Sequence, residues 1–305
     1  MRLTKQRICA NIIGVLGRLF FVGDYMSKIL TIPSNIEEIT KTKPLVDGFI
    51  IGIKDMCVNM NYCIEDLSIL SSLCDKEIFI ALNKNLHNND LERVKELLLE
   101  LNNYNIKGVL YADVGLLNIA RSLNLNYDLV WSKEHASTNV NTINYWNKEG
   151  AKYAYVSSDI TEEEIINISK NSKSKLLVNM FGYLPMFVSK RHIVKNYLEY
   201  FNLSDNSNIN YIEKENKIYP IIDNNIGTVC YSNNILNGIN SYLNINVEYI
   251  VLNSLLIDLD SFIIVINCFK NVNKDNIGEM NKKIESLFSN IDTAFLNRKT
   301  IYKVK

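Results

Sequence analysis

The stretch that decides the fold runs Leu176-Leu177-Val178-Asn179-Met180-Phe181-Gly182-Tyr183-Leu184-Pro185-Met186-Phe187-Val188-Ser189-Lys190-Arg191-His192-Ile193-Val194-Lys195-Asn196-Tyr197. It opens on a short apolar run of strand type, residues 176–178, and leads into a helix-like run. Between them stand Gly182, Pro185, a serine and two basic residues. A strand handing over to a helix is the repeating unit of an α/β protein, and the handover is where such proteins place their chemistry.

The same unit recurs along the chain. Strand-like runs lie at residues 28–32, 48–53, 77–82, 108–112, 128–131, 153–157 and 176–180. Helix-like segments lie between them: one opened by Ser34 and Asn35 with Glu37 and Glu38 in its first turn, then 65–74, 90–101, 116–123, 142–148, 161–170 and 191–201. In 90–101, Leu91, Val94, Leu97, Leu98 and Leu101 share one face. The strands read as continuous apolar runs, which predicts a parallel sheet buried on both faces. No glycine-rich dinucleotide fingerprint follows the first strand, so a (β/α)8 TIM-like barrel is expected over an open doubly wound sheet.

The rhythm changes after Phe201. Strand pieces at 210–213, 218–222 and 227–231, separated by turn residues, predict a β-hairpin insertion or small subdomain at about 208–231, before the last strands. A helix at 235–243 and strands at 248–252 and 261–267 are then expected to return to the barrel and close it, followed by a final helix at 279–288. One barrel domain over 26–305 is the expected organisation.

The chain of 305 residues is 47% hydrophobic with a formal net charge of zero, a soluble globular composition without a strongly basic nucleic-acid footprint. Its six cysteines (Cys9, Cys57, Cys63, Cys74, Cys230 and Cys268) form no C-x-x-C pair and lie away from the histidines in sequence. Reduced thiols and a cytoplasmic location are expected. With only His87, His135 and His192, no metal centre is expected.

Residues 1–25 are read apart from the fold. Arg2, Lys5 and Arg7 before the apolar run 8–22 mimic a signal peptide, but Arg18 interrupts the run and no small-x-small cleavage site follows. The run is also too short to span a membrane. The expectation is a non-structural extension from a mis-assigned start, with Met26-Ser27-Lys28 as the true one. An amphipathic extension and a targeting segment are the alternatives.

A parallel barrel places its site at the carboxyl ends of the strands. The candidates there are Lys54 and Asp55, Asn83 and Lys84, Asp113, then Ser132 to His135, Ser158 and Asp159, and finally Asn179 with Tyr183. The fifth loop is densest, pairing Glu134 and His135 as a general acid/base with nearby hydroxyls and amides. The same Ser, Thr and Asn residues also suit helix capping, Thr138 or Asn139 for the helix at 142. Asp113 either caps the helix at 116 or faces the mouth. Asp159 precedes a capping box, Thr161 with Glu164. Lys190, Arg191, His192 and Lys195 form a basic cluster that either holds a phosphate or carboxylate or is a solvated helix face.

Several of these segments together resemble the peptidase U32 family, the collagenase-like proteases. Ser137-Thr138-Asn139-Val140-Asn141 is similar to the family's Ser-Thr-Gln-x-Asn stretch, with Asn for Gln. Trp146, Gly150 and Ala151 follow at the family's spacing. Ser158 to Ile165 resembles the Arg-Glu-Leu-Ser-x-x-Glu-Ile stretch, and Gly182 stands at the glycine of the His-Gly segment. Tyr219-Pro220-Ile221 with Gly227-Thr228 resembles the downstream hairpin, so the likeness spans roughly residues 29–268. Phe181 replaces the family histidine, Pro185 stands at the first signature cysteine, and no cysteine lies between Cys74 and Cys230.

The pattern is similar to the shorter, cysteine-lacking paralogue of Firmicutes-type bacteria. That resemblance implies hydroxylation of the wobble uridine of tRNA, alone or with a larger U32 paralogue, and no iron–sulfur cluster in this chain. The family name implies instead a protease acting on peptides, and a non-catalytic scaffold subunit is the third reading. From the strand-end positions the candidate catalytic set is His135, Glu134, Asp159 and Asp113. With the family-like motifs added, the candidate substrate-binding set is Thr138, Asn139, Asn141, Asn179, Gly182, Tyr183, Ser189 and Arg191. No membrane partner is expected.

Overall fold

In the computed structural model, residues 26–133, 135–204, 207 and 209–298 are described; Glu134 and residues 1–25 lie outside them. Eight parallel strands form a closed ring: β1 (Lys28–Ile32), β2 (Gly48–Ile53), β3 (Glu77–Leu82), β4 (Gly108–Tyr111), β5 (Asp128–Trp131), β6 (Ala151–Tyr155), β7 (Lys175–Ser189) and, after an insertion, β11 (Tyr249–Asn253). Each pairs in parallel with its neighbour, and β11 closes the ring by pairing with both β1 (Lys28↔Tyr249) and β7 (Tyr249↔Leu177). The fold is a (β/α)8 barrel.

The continuous apolar runs follow from two cores on either side of one sheet. Side chains alternate across a strand, so Leu30, Ile50, Phe79, Leu110, Val130, Tyr153, Leu177 and Tyr249 fill the barrel interior. Ile29, Phe49, Ile51, Ile78 and Ile80 face outward under the helices. Those helices are α1 (Ile36–Thr42), α2 (Leu91–Leu101), α3 (Val114–Arg121), α4 (Val140–Lys148), α5 (Glu162–Asn171), α6 (Ile193–Tyr200), α7 (Ile239–Tyr242), α8 (Leu259–Asn271) and α9 (Ile277–Glu285). Residues 65–74 carry a 3-10 helix, Leu67–Leu73, instead of an α-helix.

Three sequence expectations are corrected. First, the strand expected to end at residue 180 runs on: β7 extends to Ser189 through the handover residues, and α6 then starts at Ile193, inside the segment expected to be helical. Beyond the ring, β7 pairs antiparallel with β10 (Gly227–Asn237), which pairs with β9 (Lys217–Asn224), itself paired with β8 (Ile209–Lys214). Pro185 is accommodated because it faces Tyr231 where the ladder register slips. Gly182 sits at φ +111, and a Cβ there would lie 2.4 Å from the Asn253 carbonyl oxygen, so only glycine lets β7 bend away from β11.

Second, residues 235–237 belong to β10, and only Ile239–Tyr242 is helical. Third, residues 261–267 lie within α8, not in a strand. Their β-branched residues read as strand, yet Phe262, Val265, Ile266 and Phe269 are buried at helical spacing, and the Asp258 carboxylate accepts from Ser261 N at 2.9 Å as the N-cap. The ring therefore needs one closing strand after the insertion. Its last segment, β12 (Ile291–Asp292), pairs with β10 and brings residues 292–298 across the barrel mouth.

Candidate functional site

The amino end of the barrel is closed. Phe79 meets Tyr153 and Tyr249 edge to face at 5.7 and 5.3 Å, and the Tyr249 hydroxyl donates to Glu77 Oε2 at 2.8 Å. Glu77 also pairs with Lys28 at 3.0 Å and Lys107 at 3.3 Å. Burial alone would raise the Glu77 pKa. The Lys28 and Tyr249 hydrogen bonds and the two lysine charges outweigh it and hold the carboxyl below the ordinary range.

The carboxyl end is open. A cavity of about 360 Å³ lies over the strand ends. Its floor and walls come from Ile32, Asn83, Leu110, Tyr155, Asn179 and Asn253 of the barrel, and Asn59 and Met60 of the loop after β2. The insertion adds Lys217, Tyr219 and Ser232 to Asn234, and the chain end adds Asp292, Phe295 and Arg298.

Of the sequence candidates, Asn83, His135, Asp159, Asn179 and Tyr183 meet at this cavity, with Ser132, Lys133, Ser157 and Ser158. The Asp159 carboxylate engages His135 Nδ1, with Ser157 Oγ 3.4 Å from the same carboxylate. A carboxylate on Nδ1 favours the tautomer in which Nε2 is the basic nitrogen, so the pair can accept a proton. His135 sits at φ +58, a left-handed conformation that turns its ring back toward Asp159. The Tyr155 hydroxyl donates to Asn179 Oδ1 at 2.6 Å, and Asn179 Nδ2 donates to Ser158 Oγ at 2.8 Å. The Tyr183 hydroxyl accepts from Asn290 Nδ2 at 2.8 Å.

The other described candidates do not line the cavity. Asp113 caps α3, accepting from Gly115 N at 2.7 Å and Leu86 N at 3.0 Å, which leaves both oxygens engaged. Asn139 is the N-cap of α4, accepting from Thr142 N at 2.9 Å; Thr138 precedes it and Asn141 is exposed on the first turn. Ser189 Oγ accepts from Arg191 N at 3.1 Å, and the Arg191 carbonyl accepts from Thr228, so this pair shapes the turn into α6. Gly182 contributes its missing side chain.

Sequence reasoning found Asn83, Asn179 and Tyr183 but missed the cavity's other amides and aromatics. Asn253 directly follows a strand core and was findable by the carboxyl-end rule. Asn59, Tyr219, Asp292 and Arg298 carry no local signal, because long-range pairing brings them in. The spacing of Cys57 and Cys63 likewise hid a contact: their sulfurs lie 3.2 Å apart beneath Met60.

A family model for peptidase family U32 matches residues 59–292. The chain belongs to this family. It is 24% identical over 267 residues to tRNA hydroxylation protein P2 of Bacillus subtilis (strain 168), covering 78% of this chain and 86% of that protein. Among solved structures it is similar to the U32 peptidase Mk0906, at TM-score 0.47 and 12% identity over 75% of this chain and 92% of that one. A tryptophan synthase complex from Pyrococcus furiosus matches at TM-score 0.43 and 10% identity, over 85% and 97%. At the U32 signature, Phe181 is buried against Phe288 and Phe262 with ring centroids 5.8 and 6.4 Å away, and Pro185 lies at the cavity wall. Neither can ligate a metal. Among the described residues no three His, Cys, Asp or Glu side chains converge as a metal site requires.

Proposed function

We propose that this U32 protein acts in tRNA hydroxylation, with the wobble uridine as the nucleotide modified. The observation that carries this reading is the likeness to tRNA hydroxylation protein P2 across most of both chains. The cavity supports it: neutral amides and aromatic rings line a space of nucleobase size, with Lys133 and Lys217 at its edge to meet phosphates. His135 and Asp159 are then the acid/base pair. Nucleoside mass spectrometry of tRNA from a deletion strain tests it. The hydroxylated uridine should vanish and return with the intact gene, and an unchanged profile sinks the reading.

The chain is proposed to work without its own iron–sulfur cluster, since Phe181 and Pro185 supply no thiolate, and in the cytoplasm. Among the described residues no helix is long and apolar enough to cross a membrane. A larger U32 paralogue is the proposed partner. The insertion supports a partner: α6 buries none of its residues, and Tyr200 is 79% and Tyr211 61% exposed. A peptide hydrolase is the second reading, favoured by the His135–Asp159 pair, which could activate a water. Release of new termini from a denatured collagen substrate, abolished by Asp159→Asn, would support it.

A further inference from the structure

Asn59 is placed at unusual cost. Its backbone is left-handed, at φ +60, and its side chain is buried to 6% exposure. Among the described residues, neither its Oδ1 nor its Nδ2 has a hydrogen-bond partner. A buried amide left unpaired forfeits the hydrogen bonds it made to water with nothing in the fold to replace them. Such a group in a native fold calls for a ligand or a water that completes it.

The loop does not collapse to satisfy it because it is pinned on both sides of Asn59. Val58 N donates to Asn83 Oδ1 at 2.9 Å, at the end of β3. Asn61 Nδ2 donates to the Ile32 carbonyl at 3.1 Å and to Asn253 Oδ1 at 2.7 Å, at the ends of β1 and β11. Three barrel strands thus hold the carboxamide at the cavity wall, where Met60, Tyr155, Tyr219 and Phe295 supply apolar and aromatic surface.

A carboxamide presents one donor beside one acceptor in a plane. Among flat ligands that stack on aromatic rings, a pyrimidine or purine base edge offers the matching acceptor and donor. We infer that Asn59 reads the Watson–Crick edge of the target uracil, its Oδ1 accepting from N3–H and its Nδ2 donating to an adjacent carbonyl. The inference rests on the tRNA reading above and names the contact that selects the base.

The test is fluorescence anisotropy of the full chain with two anticodon stem–loops, one carrying uridine and the other 3-methyluridine at the wobble position. The methyl group removes the N3–H donor and leaves the stem and phosphates unchanged. The wild-type chain should bind the uridine loop about tenfold or more tightly than the methylated one, as a bidentate amide–base contact allows. Asn59→Gly, which suits the left-handed backbone but lacks the amide, should bind both loops at the weaker level with a melting temperature close to wild type. Asn59→Asp, which keeps an acceptor for N3–H but cannot donate to the adjacent carbonyl when ionised, should bind both loops more weakly than wild type while still favouring uridine. Equal binding of the two loops by the wild-type chain overturns the inference, as does a preference that survives in Asn59→Gly. Failure to bind either loop overturns the tRNA reading itself, and the inference falls with it.

Discussion

The two ends of this barrel are built from the same eight strands and differ in how their polar groups are treated. At the amino end the carboxylates of Glu77 and Glu248 are answered within the fold: Glu77 is held by Lys28, Lys107 and Tyr249, and Glu248 by Lys175 at 3.2 Å. At the carboxyl end, Asn59 keeps both polar atoms unpaired and Asn61 keeps its Oδ1 unpaired, beside a cavity and a His–Asp pair. A polar group matched within the fold holds the fold together. One left unmatched against a cavity is held ready for something else.

That contrast predicts that changes at the amino end act on stability, and changes at the carboxyl end on activity. The largest effect should come from Phe79→Ala, which empties the aromatic cluster in the barrel interior. A loss of about 3–5 kcal/mol in urea unfolding is expected, and a loss under 1 kcal/mol would mean the interior is not tightly packed. Glu77→Gln should cost about 2 kcal/mol at neutral pH, less than a fully buried pair because the carboxylate keeps some water contact. Its pH dependence sharpens the point. A carboxyl held below its ordinary value of 4.5 contributes stability that is present above that pH and lost as pH falls through the folded value. Wild type should therefore lose more stability than Glu77→Gln on acidification below about pH 4.5; parallel curves would mean that the Glu77 pairs with Lys28 and Lys107 do not stabilise the amino end.

At the carboxyl end, His135→Gln and Asp159→Asn should lower tRNA hydroxylation at least about tenfold while unfolding stability stays within about 1 kcal/mol, because both side chains are substantially exposed. Retained hydroxylation in both would take the pair out of the chemistry. The smallest effect belongs to Arg191→Lys. Its backbone makes the turn into α6 and its side chain lies off the cavity, so activity within about twofold of wild type is expected, with stability moving by no more than about 0.5 kcal/mol. A larger loss would extend the working surface onto the insertion.

Legibility in the sequence followed the range of the interactions. Asp113, Asn139 and Thr161 could be read as helix caps, because a cap is settled by a few neighbouring residues. His135 and Asp159 could be read as site residues, because the end of a parallel strand points to the mouth whatever lies beyond it. The stretch after residue 180 could not be read. Residues 181–189, expected as the handover from strand to helix, are held extended by pairing with β10, 39 to 56 residues away in the chain. Residues 261–267 failed for the opposite reason: local β-branched character pointed to a strand, and the buried face at helical period won.

The sequence by itself determined the α/β class, the barrel and the family. Seven apolar runs at a steady interval leave a parallel sheet little choice but to close, and motif spacing survives without coordinates. Only the tertiary structure decided that β7 outruns the ring, that residues 292–298 return over the mouth, and that Asn59 is buried with its amide unanswered. Periodicity records whether a residue faces a core. It holds no record of whether a polar atom finds a partner there, because that partner is delivered by strands and loops distant in the chain.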